Sequence, residues 1–259
     1  MSASDIAVCG ELVAARDPAR FRAAMTAPAG AREALLALYA FNAELAHAPW
    51  TAREPGLAMI RLQYWHDQIE ALFAGAPVDA HPVLNALAQT KGVHALAKAD
   101  FTGLVAARRW DVWSEPFADN EAMQAYLRAT GGALMAMGAR LLGLSEQDDP
   151  AMRAYGQASA LAAFFVAVPA LKARGRHPLP DESPAQLARL AGEALAQMEA
   201  TRPRRGMKAA LPVLLSASEA RPVLEHAARA PQKVLTGGLE RSQFRQRARL
   251  LTCQILGRC

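Results

Sequence analysis

Hydrophobic residues recur along most of this chain at steps of three and four, the spacing of one helix face. One stripe is Leu35, Leu38, Tyr39, Asn42 and Leu45, and a second is Met59, Leu62, His66, Ile69 and Phe73. No segment alternates apolar and polar residues as a half-buried strand does. The pattern predicts an all-α fold of about ten helices, which we interpret as one domain covering residues 1–259.

Proline and glycine mark the expected helix ends and contacts. Pro169 lies inside the apolar run 160–171 and is expected to bend or end that helix. Gly131 and Gly132 lie inside a helix predicted to run from Asp119 to about Leu142. Each glycine costs a helix about 1 kcal/mol relative to alanine, so the pair indicates close approach of a neighbouring helix or a ligand. Another helix is expected from about His94 to Trp113.

The apolar run 160–171 is about a dozen residues long, whereas a membrane-spanning helix needs about 20. We therefore interpret it as a buried core helix. The three cysteines, Cys9, Cys253 and Cys259, lack zinc-ligand spacing, and Cys259 is misplaced for a prenylation signal. The N-terminal residues lack the apolar stretch of a secretory signal. The expectation is a cytoplasmic protein.

Charge is divided unevenly along the chain. Residues 1–171 carry net −4 and residues 172–259 carry net +9, which together give the +5 of the whole chain. In the last predicted helix an apolar stripe has arginines beside it; the stripe is Phe244, Ala248, Leu251 and Ile255, and the arginines are Arg241, Arg245, Arg247 and Arg249. Such a helix suits an anionic membrane surface. The alternative is that the stripe packs on the core. We predict no nucleic-acid partner.

Several short motifs stand in a recognisable order. They are Leu38-Tyr39-Ala40-Phe41, Arg61-Leu62-Gln63-Tyr64-Trp65, His81-Pro82-Val83, Tyr126 with Gly131-Gly132, Ala139 to Gly143, and Arg174-Gly175-Arg176 before Leu179-Pro180. In this order and spacing, over residues 15 to 255, they resemble the squalene/phytoene synthase family. The resemblance implies the isoprenoid synthase fold.

The resemblance also implies two Asp-rich motifs, and neither is present. The first motif's acids would fall at Ala46, His47 and Trp50, and the second motif's acids at Ala167, Ala170 and Leu171. In active members such carboxylates hold Mg²⁺, which neutralises the diphosphate leaving group. No metal or other cofactor is therefore expected, and Mg²⁺ enters only if metal ligands have been displaced to other positions.

The run Asn42-Ala43-Glu44-Leu45-Ala46, together with residues 61–65, resembles a divergent branch of the same family. That branch includes a mitochondrial assembly factor for respiratory complex I and bacterial relatives, and it implies a chain without enzymatic activity. Candidate ligand-facing or partner-facing residues are Asn42, Glu44, Arg61, Gln63, Arg108, Arg174 and Arg176. Among the arginines, Arg108, Arg174 and Arg176 are candidates for phosphate binding.

Ordinary structural roles compete with these functional ones. Glu44, near a helix end, is expected to pair with an arginine, and Asn42 is expected to hydrogen-bond Gln63. Asp67 is expected to pair with Arg61 or another basic residue. The aromatic residues Tyr64, Trp65, Trp110 and Trp113 are expected in the core.

The missing acids favour a non-catalytic family member. The resemblance implies that it assists complex I assembly through protein partners such as complex I subunits, and an anionic membrane surface is expected as a further partner. Two alternatives stay open: a prenyltransferase of isoprenoid biosynthesis with displaced metal ligands, and a lipid- or isoprenoid-binding protein that keeps the apolar tunnel.

Overall fold

A computed structural model describes residues 3–51, 54–113, 115–201 and 209–257. These residues form fourteen α-helices and no strand: α1 (Ala3–Arg16), α2 (Pro18–Ala24), α3 (Ala29–His47), α4 (Pro55–Phe73), α5 (Pro82–Gln89), α6 (Lys98–Arg108), α7 (Asn120–Leu127), α8 (Ala133–Leu141), α9 (Asp149–Ala173), α10 (Pro184–Ala200), α11 (Leu211–Leu215), α12 (Ala220–Arg229), α13 (Gln232–Thr236) and α14 (Gln243–Leu256). The all-α prediction is confirmed. The count exceeds the expected ten because short helices such as α11 and α13 were not separated in the sequence pattern. Cys259 lies outside the described residues, as does the segment 202–206, where a proline and a glycine in the sequence predict a helix break.

Short polar side chains fix where several helices begin. Asp17, Asp119, Ser183 and Ser242 each accept a hydrogen bond from a backbone N–H in the first turn that follows. His81 does the same for α5 through Nδ1, 3.2 Å from the Val83 nitrogen. The spacing of Thr51 and Glu54 predicts a capping box before α4, but Glu54 precedes that helix without a side-chain capping bond. The Thr51 hydroxyl donates to the Ala48 carbonyl instead.

Helices α3 and α9 lie at the centre of two packed groups. Helix α3 contacts α1, α5 and α8, whereas α9 contacts α8, α10 and α12. The predicted stripe on α3, including the polar Asn42, is buried over its whole length. The stripe on α4 is buried at Leu62 and Ile69 and half-buried at its other positions. Helical periodicity therefore located the inner face of both helices.

A π-helical turn, Arg128–Gly132, joins α7 to α8 and lies against α9. A Cβ atom built on Gly156 of α9 would lie 2.6 Å from the Gly131 carbonyl oxygen and 2.7 Å from the Met135 Cβ. Both distances are shorter than real Cβ contacts allow. Close approach of a neighbouring helix, as predicted, therefore explains the glycine pair at 131 and 132, and that helix is α9.

One predicted helix boundary is wrong, and of the two effects expected at Pro169, a bend or an end of the helix, the end does not occur. The helix expected over residues 94–113 is only α6, with separate 3₁₀ turns at Val93–Ala95 and Trp110–Val112. Helix α9 continues four residues beyond Pro169 to Ala173. Proline removes one backbone hydrogen bond, but contacts of α9 with α10, α12 and α13 hold the chain helical across that position.

Residues Glu146–Ala173 form one helical stretch that is long and apolar enough to cross a membrane by length and composition, and 44% of its most apolar window is buried within the protein. Helices α8, α10 and α12 pack against it. Its burial agrees with the interpretation of residues 160–171 as a core helix.

Candidate functional site

The first lost motif ends at an indole that two arginines cover. Trp50 ends the 3₁₀ turn Ala48–Trp50 after α3, and Arg174 and Arg176 follow the C-terminus of α9. The guanidinium carbons of Arg174 and Arg176 lie 4.9 Å and 4.4 Å from the centre of the Trp50 ring. A guanidinium over an indole within about 6 Å is a cation–π contact. Residues that follow the second motif thus contact the residue that ends the first motif.

Behind this contact lies a network around Arg108, whose side chain is 16% exposed. Arg108 Nη1 donates to Asp111 Oδ2 at 3.0 Å and to the Tyr126 hydroxyl at 2.8 Å, and its Nη2 lies 3.4 Å from Asn42 Oδ1. The Tyr126 hydroxyl donates to the Asp111 carboxylate at 3.0 Å. Arg176 donates to the backbone carbonyl of Asp111. The charge of Arg108 is therefore balanced inside the chain.

Burial and pairing act together on the pKa values in this network. Burial disfavours the charged form of Arg108, but Tyr126 and Asp111 outweigh it and raise the pKa of the guanidinium further. Burial is the main cause that raises the pKa of Tyr126, and Asp111 adds to it while Arg108 opposes it. At neutral pH Arg108 is charged and Tyr126 is a neutral donor.

Aromatic rings fill the space beside the network. Trp110 stacks on Phe117 with ring centres 3.8 Å apart and planes inclined by 6°. Tyr126 and Phe164 of α9 contact the same two rings, with centres 5.3 to 6.4 Å apart. These rings join α7 to α9. Trp110 and Trp65 pack in or against the core as predicted, whereas the prediction for Trp113 is wrong because its side chain is 47% exposed.

A second arginine lies nearby in similar surroundings. Arg20 forms an ion pair with Asp17, and its guanidinium carbon lies 5.8 Å from the centre of the Tyr39 ring. Burial opposes the charge of Arg20, but Asp17 and Tyr39 raise the pKa of its guanidinium. These two half-buried arginines thus each have their own aspartate.

Two open pockets lie at the C-terminal end of α3. One has a volume of about 250 Å³ and is lined by Arg16, Asp17, Asn42, Ala43, Ala46 and His47. The other has about 330 Å³ and includes Glu44, His47, Arg61 and Tyr64 in its lining. Burial and the neighbouring Arg16 lower the pKa of His47. Ala46 and His47 of the first lost motif therefore line accessible space.

These side chains do not fit the magnesium site that the family's chemistry needs. The six motif positions present methyl, imidazole, indole and isobutyl groups, none of which is a hard oxygen ligand. The nearby carboxylates of Asp111 and Asp17 are occupied by Arg108 and Arg20. Within the part of the chain that the structure describes, no three His, Cys, Asp or Glu side chains come together as a metal site would require.

The remaining candidates take ordinary partners. Glu44 pairs with Arg16 at 2.9 Å, so the expected pairing with an arginine is confirmed. The expected hydrogen bond between Asn42 and Gln63 is wrong: Asn42 lies inward against Arg108, whereas Gln63 is exposed and accepts from Arg109 at 3.1 Å.

Asp67 is expected to pair with Arg61 or another basic residue, and the basic residue beside it is His66 rather than Arg61. Asp67 accepts from the Gln63 amide at 2.7 Å, one turn away on α4, and lies 3.6 Å from His66 Nδ1. Arg61 is exposed and lines the larger pocket. Gln63 is the i, i+4 neighbour of Asp67 on the same helix, a spacing at which two side chains meet on the helix surface.

This arrangement of helices is that of the isoprenoid synthase fold. A solved dehydrosqualene synthase superposes with a TM-score of 0.70 over 98% of this chain and 96% of that one, at 15% identity. Residues 13–186, more than half of the chain, match the family model for squalene/phytoene synthase. The chain belongs to the squalene/phytoene synthase family.

Within that family the chain is similar to proteins of two kinds. Complex I assembly factor 6 of Homo sapiens is 25% identical over 162 residues, which cover 62% of this chain and 48% of the human protein. A phytoene synthase of Arthrospira platensis is 27% identical over 124 residues, 47% of this chain and 38% of that enzyme. This chain matches about half the length of the human relative.

Proposed function

We propose that this chain is a non-catalytic member of the squalene/phytoene synthase family that acts as an assembly factor for respiratory complex I. The observation that carries the proposal is the state of the polar groups around the lost motifs. Arg108 and Arg20 are paired with aspartates, and Trp50 lies against Arg174 and Arg176 where a motif carboxylate would stand.

A prenyl diphosphate needs the opposite arrangement. Its several negative charges require unpaired cations and carboxylate-bound Mg²⁺, which stabilise the developing charge by several kcal/mol. Here the arginines are already neutralised or stacked, and no carboxylate of the two motifs remains. The proposal of a role in complex I assembly is supported by the likeness to assembly factor 6, and its partners would be proteins of complex I biogenesis.

Deleting the gene in its own host tests this function. We expect less intact complex I and lower NADH:quinone activity in the membranes, with unchanged squalene and phytoene in the lipid extract. Reintroducing the wild-type gene should restore complex I.

A matched control tests whether Glu44 and His47 act as displaced metal ligands near the first motif. The double variant Glu44→Gln/His47→Ala removes the carboxylate and the imidazole nearest the first motif, and we expect it to restore complex I as well as the wild type does. Normal complex I with depleted squalene or phytoene in the deletion strain would contradict the proposal and favour the prenyltransferase alternative.

A further inference from the structure

Helix α14 turns one face to the protein and an apolar face away from it. Its inner positions are 246, 249, 250 and 253, of which Cys253 is buried and Leu250 packs on a small cluster with Ala23 and Leu215. At 3.6 residues per turn, the stripe Phe244, Ala248, Leu251 and Ile255 lies about half a turn away from these positions. The stripe therefore does not pack on the core, and that alternative of the sequence analysis is wrong.

The exposure of this stripe is high for large apolar side chains. Phe244 is 81% exposed, Ile255 is 84% exposed and Leu251 is 56% exposed. A contiguous apolar face of this kind usually marks a surface that is covered in the working state.

Four arginines accompany the stripe, and they divide into two pairs by their contacts. Arg249 Nε donates to the Ser218 carbonyl at 2.6 Å, and Arg241 lies 3.6 Å from Glu219, so both fasten the segment to the protein. Arg245 and Arg247 are exposed, lie on opposite sides of the stripe, and form no ion pair with any residue that the structure describes. Their charge is available to an external partner.

We propose that the outer face of α14 binds an anionic lipid bilayer surface, with the helix lying in the interface. The charge decides between possible occupants. An apolar stripe with unpaired arginines along both edges matches acyl chains below and phosphate groups beside them. Arg249 and Cys253 on the inner face, with Arg241 just before the helix, hold α14 against the protein surface. This proposal does not rest on a role in complex I assembly.

Vesicle flotation of the full chain tests the proposal. We expect binding to vesicles of phosphatidylcholine mixed with phosphatidylglycerol, weaker binding at high salt, and little binding to phosphatidylcholine alone. Replacing Arg245 and Arg247 by glutamine should lower the partition coefficient about fivefold for each arginine. The double variant Phe244→Ser/Ile255→Ser should lower it more than about tenfold, and since both side chains point outward, the fold should be unchanged.

Matched controls lie on α4 and at Arg109, the residue that follows α6. Ile60→Ser changes an apolar residue that is 65% exposed, and Arg61→Gln/Arg109→Gln removes the same charge from exposed positions. Both controls should bind as the wild type does. Equal, negligible binding to both vesicle types would overturn the proposal, as would loss of binding in the controls alone. A dimer in sedimentation equilibrium that Phe244→Ser/Ile255→Ser dissociates would also overturn it, in favour of a second copy on this face.

Discussion

Two regions of this molecule place arginines in opposite surroundings, paired inside the fold in one and unpaired on the surface in the other. Around the lost motifs, Arg108 has Asp111, Tyr126 and Asn42 as partners, and Arg20 has Asp17. On the outer face of α14, Arg245 and Arg247 have no ion-pair partner within the described residues and stand beside exposed apolar side chains.

The difference indicates that the paired arginines contribute to the stability of the fold, whereas the unpaired arginines are free to bind a partner. A buried arginine whose carboxylate is supplied by its own chain contributes to a closed interior and has little capacity left for a ligand. An exposed arginine beside apolar groups adds little to stability and can bind an anionic surface. In this family member, Arg108 and Arg20 near the motif positions are paired with aspartates, whereas Arg245 and Arg247 on the surface form no ion pair within the described residues.

The largest expected effect is at Asp111. Asp111→Ala leaves Arg108 buried without its carboxylate, and we predict a loss of about 3 kcal/mol in the free energy of unfolding, measured by urea denaturation. The matched control is Glu121→Gln. Glu121 is 82% exposed, and its ion pair with Arg128 is long, at 3.8 Å. This variant should change stability by less than about 0.5 kcal/mol. Equal stability of the two variants would contradict the claim that Arg108 depends on Asp111 for its charge balance.

A smaller loss is expected at the contact between α9 and the π-helical turn. Gly156→Ala places a methyl group against the Gly131 carbonyl and Met135, and we predict a cost of about 2 kcal/mol. Gly192→Ala in α10 is the control: no atom lies within 4 Å of its added methyl group, so it should stabilise by about 0.5 to 1 kcal/mol. Thermal unfolding of both variants separates them, and stabilisation by Gly156→Ala would show that the contact can relax.

Raising the pH should weaken the interior by about 1 kcal/mol. Burial raises the pKa of the Cys9 thiol to about 12 from 9.0, so between these values the unfolded chain loses its proton first. Stability is therefore complete below pH 9 and falls as the pH rises toward 12. We predict a loss of about 1 kcal/mol from pH 8 to pH 10, measured by urea denaturation.

Cys9→Ala checks the assignment of this pH dependence. The variant should lose most of the fall between pH 8 and pH 10, while a weaker fall from Tyr39 and Tyr126, whose pKa values burial also raises, should persist. A variant with the same pH dependence as the wild type would show that Cys9 is not the group that titrates.

The smallest stability effect should come from the α14 face. Phe244→Ser/Ile255→Ser removes two large apolar side chains that are more than 80% exposed. We predict a change below about 0.5 kcal/mol in the free energy of unfolding. A loss comparable to that of Asp111→Ala would show that α14 packs on the protein by its apolar face, and the contrast between the two regions would fail.

Local patterns predicted much of the fold. The stripes on α3 and α4 and the packing role of Gly131 follow from spacing and helix chemistry, which act within a few residues. The network at Arg108 does not, because it joins Asn42, Arg108 and Tyr126 from three separated helices. Asp111 and Tyr126 were missed as site residues. The i, i+3 spacing of Arg108 and Asp111 was the one local signal for them.

The contact of Trp50 with Arg174 and Arg176 was missed for the same reason, since residues that far apart in the sequence meet only through the tertiary fold. At Pro169, where a bend or an end of the helix is expected, the helix does not end, and the reason is different. Proline disfavours a helix locally, but helices on three sides of α9 outweigh that preference.

Turnover of prenyl diphosphates tests the central claim most directly. Folded wild-type chain should be incubated with Mg²⁺ and radiolabelled farnesyl or geranylgeranyl diphosphate, beside an active squalene synthase and a sample without enzyme. If the arginines of the interior are committed to their own aspartates and no carboxylate organises Mg²⁺, product should not exceed the sample without enzyme. Mg²⁺-dependent formation of squalene or phytoene well above that sample would contradict the account.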